Sequence, residues 1–255
     1  MLYKAQTADL EALKRVILHN RVTFTTMGFR LMYELLRRQR VACSRSDVRK
    51  AYCELKILGK RAPARVRTTN SNHGEPRHPN LIKDLEIERP NQVWVADTTD
   101  VRIASRTAYL ALVEDAYTRR VVGWAMSFSN NAMLVLDALN KALTFGKPEI
   151  HHSDQGKPYA SKNHTGRLRS IGVTLSMAAV GCAWENGLAE RLNRTFKYEE
   201  ILLSDYQSIQ EATTSIAKFV KLYNEKRIHM SLRYRTPKEV YDAYGTDKQS
   251  GDKTP

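Results

Sequence analysis

The pattern of apolar and polar positions divides the chain into two kinds of segment. Up to about residue 57 the apolar residues recur at helical spacing. The first helix is expected after Thr7 as N-cap, with Asp9 and Glu11 in its first turn and Leu10, Leu13 and Ile17 on its inner face. A second is predicted over about 26–38, burying Met32, Leu35 and Leu36. A third begins at Ser44, where Asp47 three residues on completes a capping-box-like start. Its inner face is Val48, Ala51 or Tyr52, and Leu55, while Arg45, Arg49 and Lys56 project from the other side. Thr68 to Asn80, with Gly74, Pro76 and Pro79, is polar and reads as part of a linker.

From Pro90 the period changes. Strands are expected over 92–101, 108–114 and 120–127, then a helix over 131–145, a strand over 149–153, a helix over 163–170, a strand over 173–177 and a long helix over about 184–198. A last helix over 208–223 carries Ile209, Ala212, Ile216, Phe219 and Tyr223 on one face, and residues 246–255 read as a disordered tail. Three consecutive strands followed by alternating helix and strand predict an α/β domain, one mixed five-stranded sheet flanked by helices, behind a small all-α module.

Charge sharpens that division. The 255 residues carry a formal net charge of +14. Residues 1–67 hold 16 basic and 5 acidic side chains, whereas residues 68–90 hold 3 and 4. A short helix, a turn and a helix with a basic outer face fit a helix-turn-helix DNA-binding module; the alternative is a helical hairpin with a solvated basic surface. There is no apolar run long enough to span a membrane and no signal-peptide layout, so the chain reads as soluble and cytosolic. Three cysteines without a C-x-x-C pair argue against a disulfide scaffold or a cysteine zinc site. His151 and His152 have no second histidine pair at ligand spacing. Trp94 and Trp124 read as core.

Three carboxylates stand out. Asp97 continues the face of a strand that also carries Val93 and Val95, where a lone carboxylate is costly unless a counter-ion or metal meets it. Asp154 lies just beyond the fourth strand, where open α/β sheets place functional groups. Glu190 shares a helix face with Asn186, Asn193 and Lys197. Together they are a hard-oxygen donor set for two divalent cations. Singly, Asp97 reads equally as a strand-end hydrogen-bonding residue and Glu190 as a surface glutamate. Asp115 and Asp100 read as structural. Tyr223, Asn224, Arg227 and His229 either contact DNA or lock the last helix onto the sheet.

Thirty-five residues separate Asp154 from Glu190, and Lys197 follows seven positions later. With Asn91-Gln92-Val93-Trp94-Val95-Ala96-Asp97, His151-His152-Ser153-Asp154-Gln155-Gly156, Trp184-Glu185-Asn186-Gly187-Leu188-Ala189-Glu190 and Tyr223-Asn224-Glu225-Lys226-Arg227, this resembles the D, D(35)E signature of integrases and transposases. More narrowly the chain is similar to the second-reading-frame (OrfB) transposases of bacterial insertion sequences, over roughly residues 25–240. Ala178 and Ala179 depart from the serine and basic residue usual there, and Gln155 stands where arginine is common.

The resemblance implies an RNase H-like core over residues 89–202, a helix-turn-helix-like domain over 1–62, a linker over 63–88, and a C-terminal helix and packing segment over 203–245. It implies a DNA transposase in which Asp97, Asp154 and Glu190 bind two Mg2+ or Mn2+ ions, cleave at the element's terminal repeats to expose a 3′-hydroxyl, and catalyse strand transfer. Lys197, Arg194, Asn186, Arg45, Arg49, Lys56 and Arg227 are the expected DNA contacts. Partners would be double-stranded DNA, further copies of the chain, and possible use of an upstream-frame (OrfA) protein, in the bacterial cytoplasm at the nucleoid. The alternative is a non-catalytic DNA-binding regulator or assembly partner derived from such an enzyme.

Overall fold

The computed structural model describes residues 9–58, 78–179 and 182–251. The chain divides into two compact units. One comprises residues 1–66 with Ile228–Arg235, and the other residues 67–227 with 236–255.

In the first unit three helices, α1 (Leu10–Thr23), α2 (Phe29–Arg38) and α3 (Arg45–Glu54), enclose a small core of Leu13, Ile17, Met32, Leu36, Val48, Ala51 and Tyr52. Both candidates for the inner face of α3 are buried. α1 starts two residues later than the expected Thr7 cap, which lies outside the described residues. Asp9 caps it instead, its carboxylate accepting from the backbone N–H groups of Glu11 and Ala12. The capping box at Ser44 and Asp47 forms as expected. α3 ends at Glu54, so Lys56 stands in the turn beyond it with a left-handed backbone (φ 54°) rather than on the helix. Ile228, from the far end of the sequence, is buried in this core.

The second unit is built on a five-stranded mixed sheet, β1 (Val93–Ile103), β2 (Arg106–Asp115), β3 (Val121–Ser127), β4 (Ile150–Ser153) and β5 (Thr174–Met177), in the order β3-β2-β1-β4-β5. β1–β2–β3 is an antiparallel meander; β4 joins β1 and β5 joins β4 in parallel. One face is covered by α4 (Ala132–Leu143) with the short α5 (Lys157–Ala160), around Trp94, Ala96, Leu134, Ala138 and Ala142. α6 (Lys162–Ser170) packs Leu168 against Leu139 of α4 and Leu175 of β5. The other face meets α7 (Gly187–Glu199) and α8 (Ile209–Glu225) around Leu110, Leu112, Leu192, Phe196, Ile216 and Tyr223. The expected face of α8 is the one that is buried, apart from Ile209 at its edge. Asn224 fixes its end to the sheet, donating to the carbonyl of Val121 and accepting from the Val121 N–H, each at 2.9 Å.

Two expectations need correction. A helix, α9 (Pro237–Gly251), runs through residues 246–251, which were expected to be a disordered tail. Thr236 caps its start by accepting from Glu239 N, Pro237 supplies a preset φ, and no proline lies within the rest of the helix. Residues 78–88 are not a free linker. Pro79 accepts from Met177 N, Leu81 N donates to Ser176 Oγ, and Ile82, Leu85 and Ile87 pack beside Val93 and Val95. The remaining expected linker, residues 63–77, lies outside the described residues.

Candidate active site

Sheet register brings the first two carboxylates together. β1 and β4 run parallel with Ala96 opposite Ser153, so one step further along each strand Asp97 and Asp154 emerge side by side. Asp154 is held by a short turn in which Gly156 N donates to its Oδ1 at 2.9 Å. A Cβ at position 156 would stand 2.9 Å from that same oxygen, so any side chain there presses on the carboxylate. Glycine at this position leaves the Asp154 carboxylate the space it occupies, a role no spacing argument could supply.

The third carboxylate arrives on a helix. Val93 and Val95 on β1 pack against Leu188 and Ala189 of α7, which sets the first turn of α7 beside the strand that carries Asp97. Glu190 lies in that turn, where the helix dipole favours a negative charge. One turn on, Asn193 is 5 % exposed and donates from Nδ2 to Asp97 Oδ2 at 2.8 Å. Thr98 N donates to the other oxygen, Oδ1, at 2.8 Å. The sequence placed Asn193 on the right helix face but gave it no role. Only the tertiary fold shows that it orients Asp97.

The electrostatics follow from this packing. The Asp97 carboxyl is pushed up to about 7, first by burial, then by the charge on Asp154 and, more weakly, on Glu190; the hydrogen bonds from Thr98 and Asn193 oppose the rise. Three carboxylates thus share one field. The donor set is all oxygen, and the excess negative charge that raises Asp97 is what a hard divalent cation neutralises. Among the described residues no three His, Cys, Asp or Glu side chains form a ready cluster for a metal, so the carboxylates fit such an ion by chemistry and charge without forming a closed shell.

The surroundings are dry and tied down. His151, His152 and His164 are each about 1 % exposed or less. Burial drives all three below the usual histidine range, His152 and His164 to about 4. His152 Nδ1 lies 2.8 Å from Ser176 Oγ, bracing β4 against β5. His151 stacks edge-on to His164 within the α5–α6 side of the core. Asp115 is structural as expected, accepting from Asn91 N, Thr118 N and Thr118 Oγ1. Its neighbour Glu114, which the sequence reading passed over, is buried against Tyr223 and pushed up to about 7 by that burial.

A family model described as integrase core domain matches residues 87–182, and a second of the same description matches residues 171–237. The transposase for insertion sequence element IS629 of Shigella sonnei is 31 % identical over 219 residues, which is 85 % of this chain and 74 % of that protein. The chain belongs to the insertion-sequence transposases. The transposase for insertion sequence element IS904 of Lactococcus lactis is 36 % identical over 166 residues, 63 % of this chain and 66 % of that protein. In three dimensions, the cryo-EM structure of the simian T-cell lymphotropic virus intasome with the PP2A regulatory subunit B56 gamma includes a chain that matches with a TM-score of 0.54 and 18 % identity. That match covers 82 % of this chain and 73 % of the other. This likeness concerns the fold, an RNase H-like integrase core.

Within this transposase the residues expected at DNA separate into two groups. Arg194 is exposed beside Tyr198, and Lys197, one-third exposed, pairs with Asp100 at 2.6 Å. Arg45, Arg49 and Lys56 are exposed on the first unit, Arg45 lying over the Tyr33 ring and 3.9 Å from Glu34. Arg227 and Asn186 are different. The Arg227 side chain is 12 % exposed and makes a bidentate pair with Glu199 at 2.6 and 2.7 Å, so its guanidinium is spent inside the fold. Asn186, 3 % exposed, donates to Ala96 O at 3.1 Å. Both side chains find a partner on another element of the same unit, a role the sequence did not assign to them.

Proposed function

We propose that this transposase cuts and joins DNA at the ends of its element, with Asp97, Asp154 and Glu190 as the catalytic carboxylates and Mg2+ or Mn2+, two ions per site, as the cofactor. The observation that carries this reading is the convergence of the three carboxylates in one field, with Asp97 driven up to about 7 by burial and by its two neighbours. A protein that only bound DNA would gain nothing from such an arrangement, which costs stability while unneutralised. Divalent ions held by Asp97, Asp154 and Glu190 would supply the activation of the attacking oxygen and the stabilisation of the leaving oxygen in an in-line phosphoryl transfer.

The chain's own residues do the rest. Asn193 and the backbone of Thr98 hold the two oxygens of Asp97 in place, and the turn at Gly156 does the same for Asp154. Arg194 and Lys197 offer positive charge along the helix that carries Glu190, positions suited to the phosphates flanking the reacting one. In the first step water attacks phosphorus at the element's end, the P–O3′ bond breaks, and the strand is released with a free 3′-hydroxyl. In the second that hydroxyl attacks a phosphodiester of another strand and displaces its 3′-oxygen. The basic face of α3 (Arg45, Arg49) and Lys56 bind the terminal repeats. Joining two ends requires at least two copies of the chain, and an upstream-frame protein is a further candidate partner. Work on chromosomal DNA places the protein in the cytoplasm at the nucleoid.

The test uses duplexes carrying the ends of the element that encodes this chain, with products resolved on a denaturing gel in Mg2+ or Mn2+. Glu190→Gln keeps the shape of the side chain and removes its charge. It is expected to abolish cleavage and joining while end binding stays within about twofold. Cleavage by this variant at the wild-type rate, or loss of binding with cleavage, rejects the assignment.

A further inference from the structure

Trp184 is the exception among the tryptophans. Trp94 is fully buried and Trp124 is half-buried beneath the ammonium group of Lys141, whereas Trp184 is 73 % exposed. It sits on a one-turn 3-10 helix, Ala183–Asn186, that leads into α7 and so to Glu190.

That turn is anchored by the two residues that follow the indole. Asn186 donates to Ala96 O, the residue before Asp97. Glu185 accepts from Ala179 N at 2.7 Å, just past the end of β5. Ala96 is paired with Ser153, the residue before Asp154. The turn is therefore tied to the strand end from which Asp97 emerges, and it carries a large, mostly exposed apolar ring. Exposing an indole in this way forgoes the burial that the other two obtain. The charge of the helix that follows, and of the whole chain, points to the occupant. Arg191 and Arg194 are exposed on the helix that the turn begins, in a chain of net charge +14. An exposed apolar ring on a turn that leads into a helix bearing exposed arginines matches a nucleobase carried on a phosphate backbone.

We propose that Trp184 is a base-stacking platform that receives an unpaired nucleobase at the DNA end, next to the bond that is cut. The proposal rests on the DNA-end reading above for its ligand. Stacking on the indole compensates for the lost pairing and stacking of a frayed base, and so presents the scissile phosphate to the carboxylates. Trp184 is accordingly a positioning residue for the reaction.

The experiment uses the full chain and end duplexes, either fully paired or with the terminal base pairs replaced by mismatches. Trp184→Ala is expected to slow cleavage and joining on paired ends about tenfold, in line with the loss of one stacked base. Mismatched ends recover most of that loss, and Trp184→Phe, which keeps a ring, recovers most of it on paired ends. Indole emission gives a readout independent of chemistry. DNA quenches the wild type and the otherwise inactive Glu190→Gln protein, and quenches Trp184→Phe much less, at equal binding by anisotropy. Equal quenching with and without Trp184, or a Trp184→Ala rate equal to wild type on paired ends, overturns the proposal. Trp184-dependent quenching in a wild-type protein that never cuts or joins would support the platform and reject the catalytic reading.

Discussion

Replacing Asp97 with asparagine should stabilise the metal-free protein while abolishing its chemistry. In the fold the Asp97 carboxyl sits at about 7, against 3.8 as its ordinary value. Between those two pH values the folded chain holds a proton that the unfolded chain has released. Stability from this group is therefore fully present below about 3.8 and is lost as pH rises toward 7, by about 1.4 kcal/mol per pH unit. Over about three units the full effect is about 4 kcal/mol. Asp154 and Glu190 still repel one another in the variant, so a gain of about 2 kcal/mol is expected at pH 7.5, or roughly 4–8 °C in the melting of a unit this size.

Asparagine can be accommodated by the existing hydrogen bonds. Its carbonyl accepts from Thr98 N as Oδ1 of Asp97 does now. Its amide then faces Asn193, whose Oδ1 is buried without a hydrogen-bond partner. Turning the Asn193 amide over presents that oxygen as the acceptor. The assay is calorimetric melting in chelator at pH 4 and pH 7.5, then with Mg2+ added. Asp97→Asn should melt above wild type at pH 7.5, with the gap closing on acidification. Mg2+ should raise the wild type and move the variant less. A variant less stable than wild type at pH 7.5, or a gap independent of pH, would refute the electrostatic account of this site.

Two further outcomes separate internal ties from DNA contacts. Arg227→Ala should cost about 3 kcal/mol in urea unfolding, because it leaves Glu199 partly buried without its bidentate partner. Its DNA affinity, measured on folded protein, should stay within about twofold; a large selective loss of affinity would return Arg227 to the DNA surface. Replacing Arg49 and Lys56 together by alanine should weaken end binding and flatten the slope of log affinity against log salt by about 0.9 for each phosphate contact removed. An unchanged slope would make that face a solvated surface.

Much of this protein was legible along the chain because it depends on local periodicity. Alternation along β1 put Asp97 on the same face as Val93 and Val95, and the packing of those valines against Leu188 and Ala189 is what docks α7 there. The Ser44–Asp47 capping box was readable because a cap is a short-range hydrogen bond. The spacing of Asp154 and Glu190 pointed to the family before any fold was known.

Other features rest on partners far away in sequence, and no local pattern encodes them. Asn193 reaches Asp97 across 96 positions, and Asn186 reaches Ala96 across 90. Arg227 looked like one more cation until Glu199 was found beside it. Gly156 looked like a turn residue until the oxygen of Asp154 filled the space its side chain would need. Ile228 belongs to the core of a unit whose helices end some 170 residues earlier. The sequence by itself determined most of the helices and strands, though not α9, and which carboxylates are out of place among them, since hydrophobic period and capping act over a few residues. Which side chains hold those carboxylates, and which cations are already spent on internal partners, only the tertiary structure decided, because hydrogen bonds and ion pairs are made to whatever the fold brings within about 3 Å.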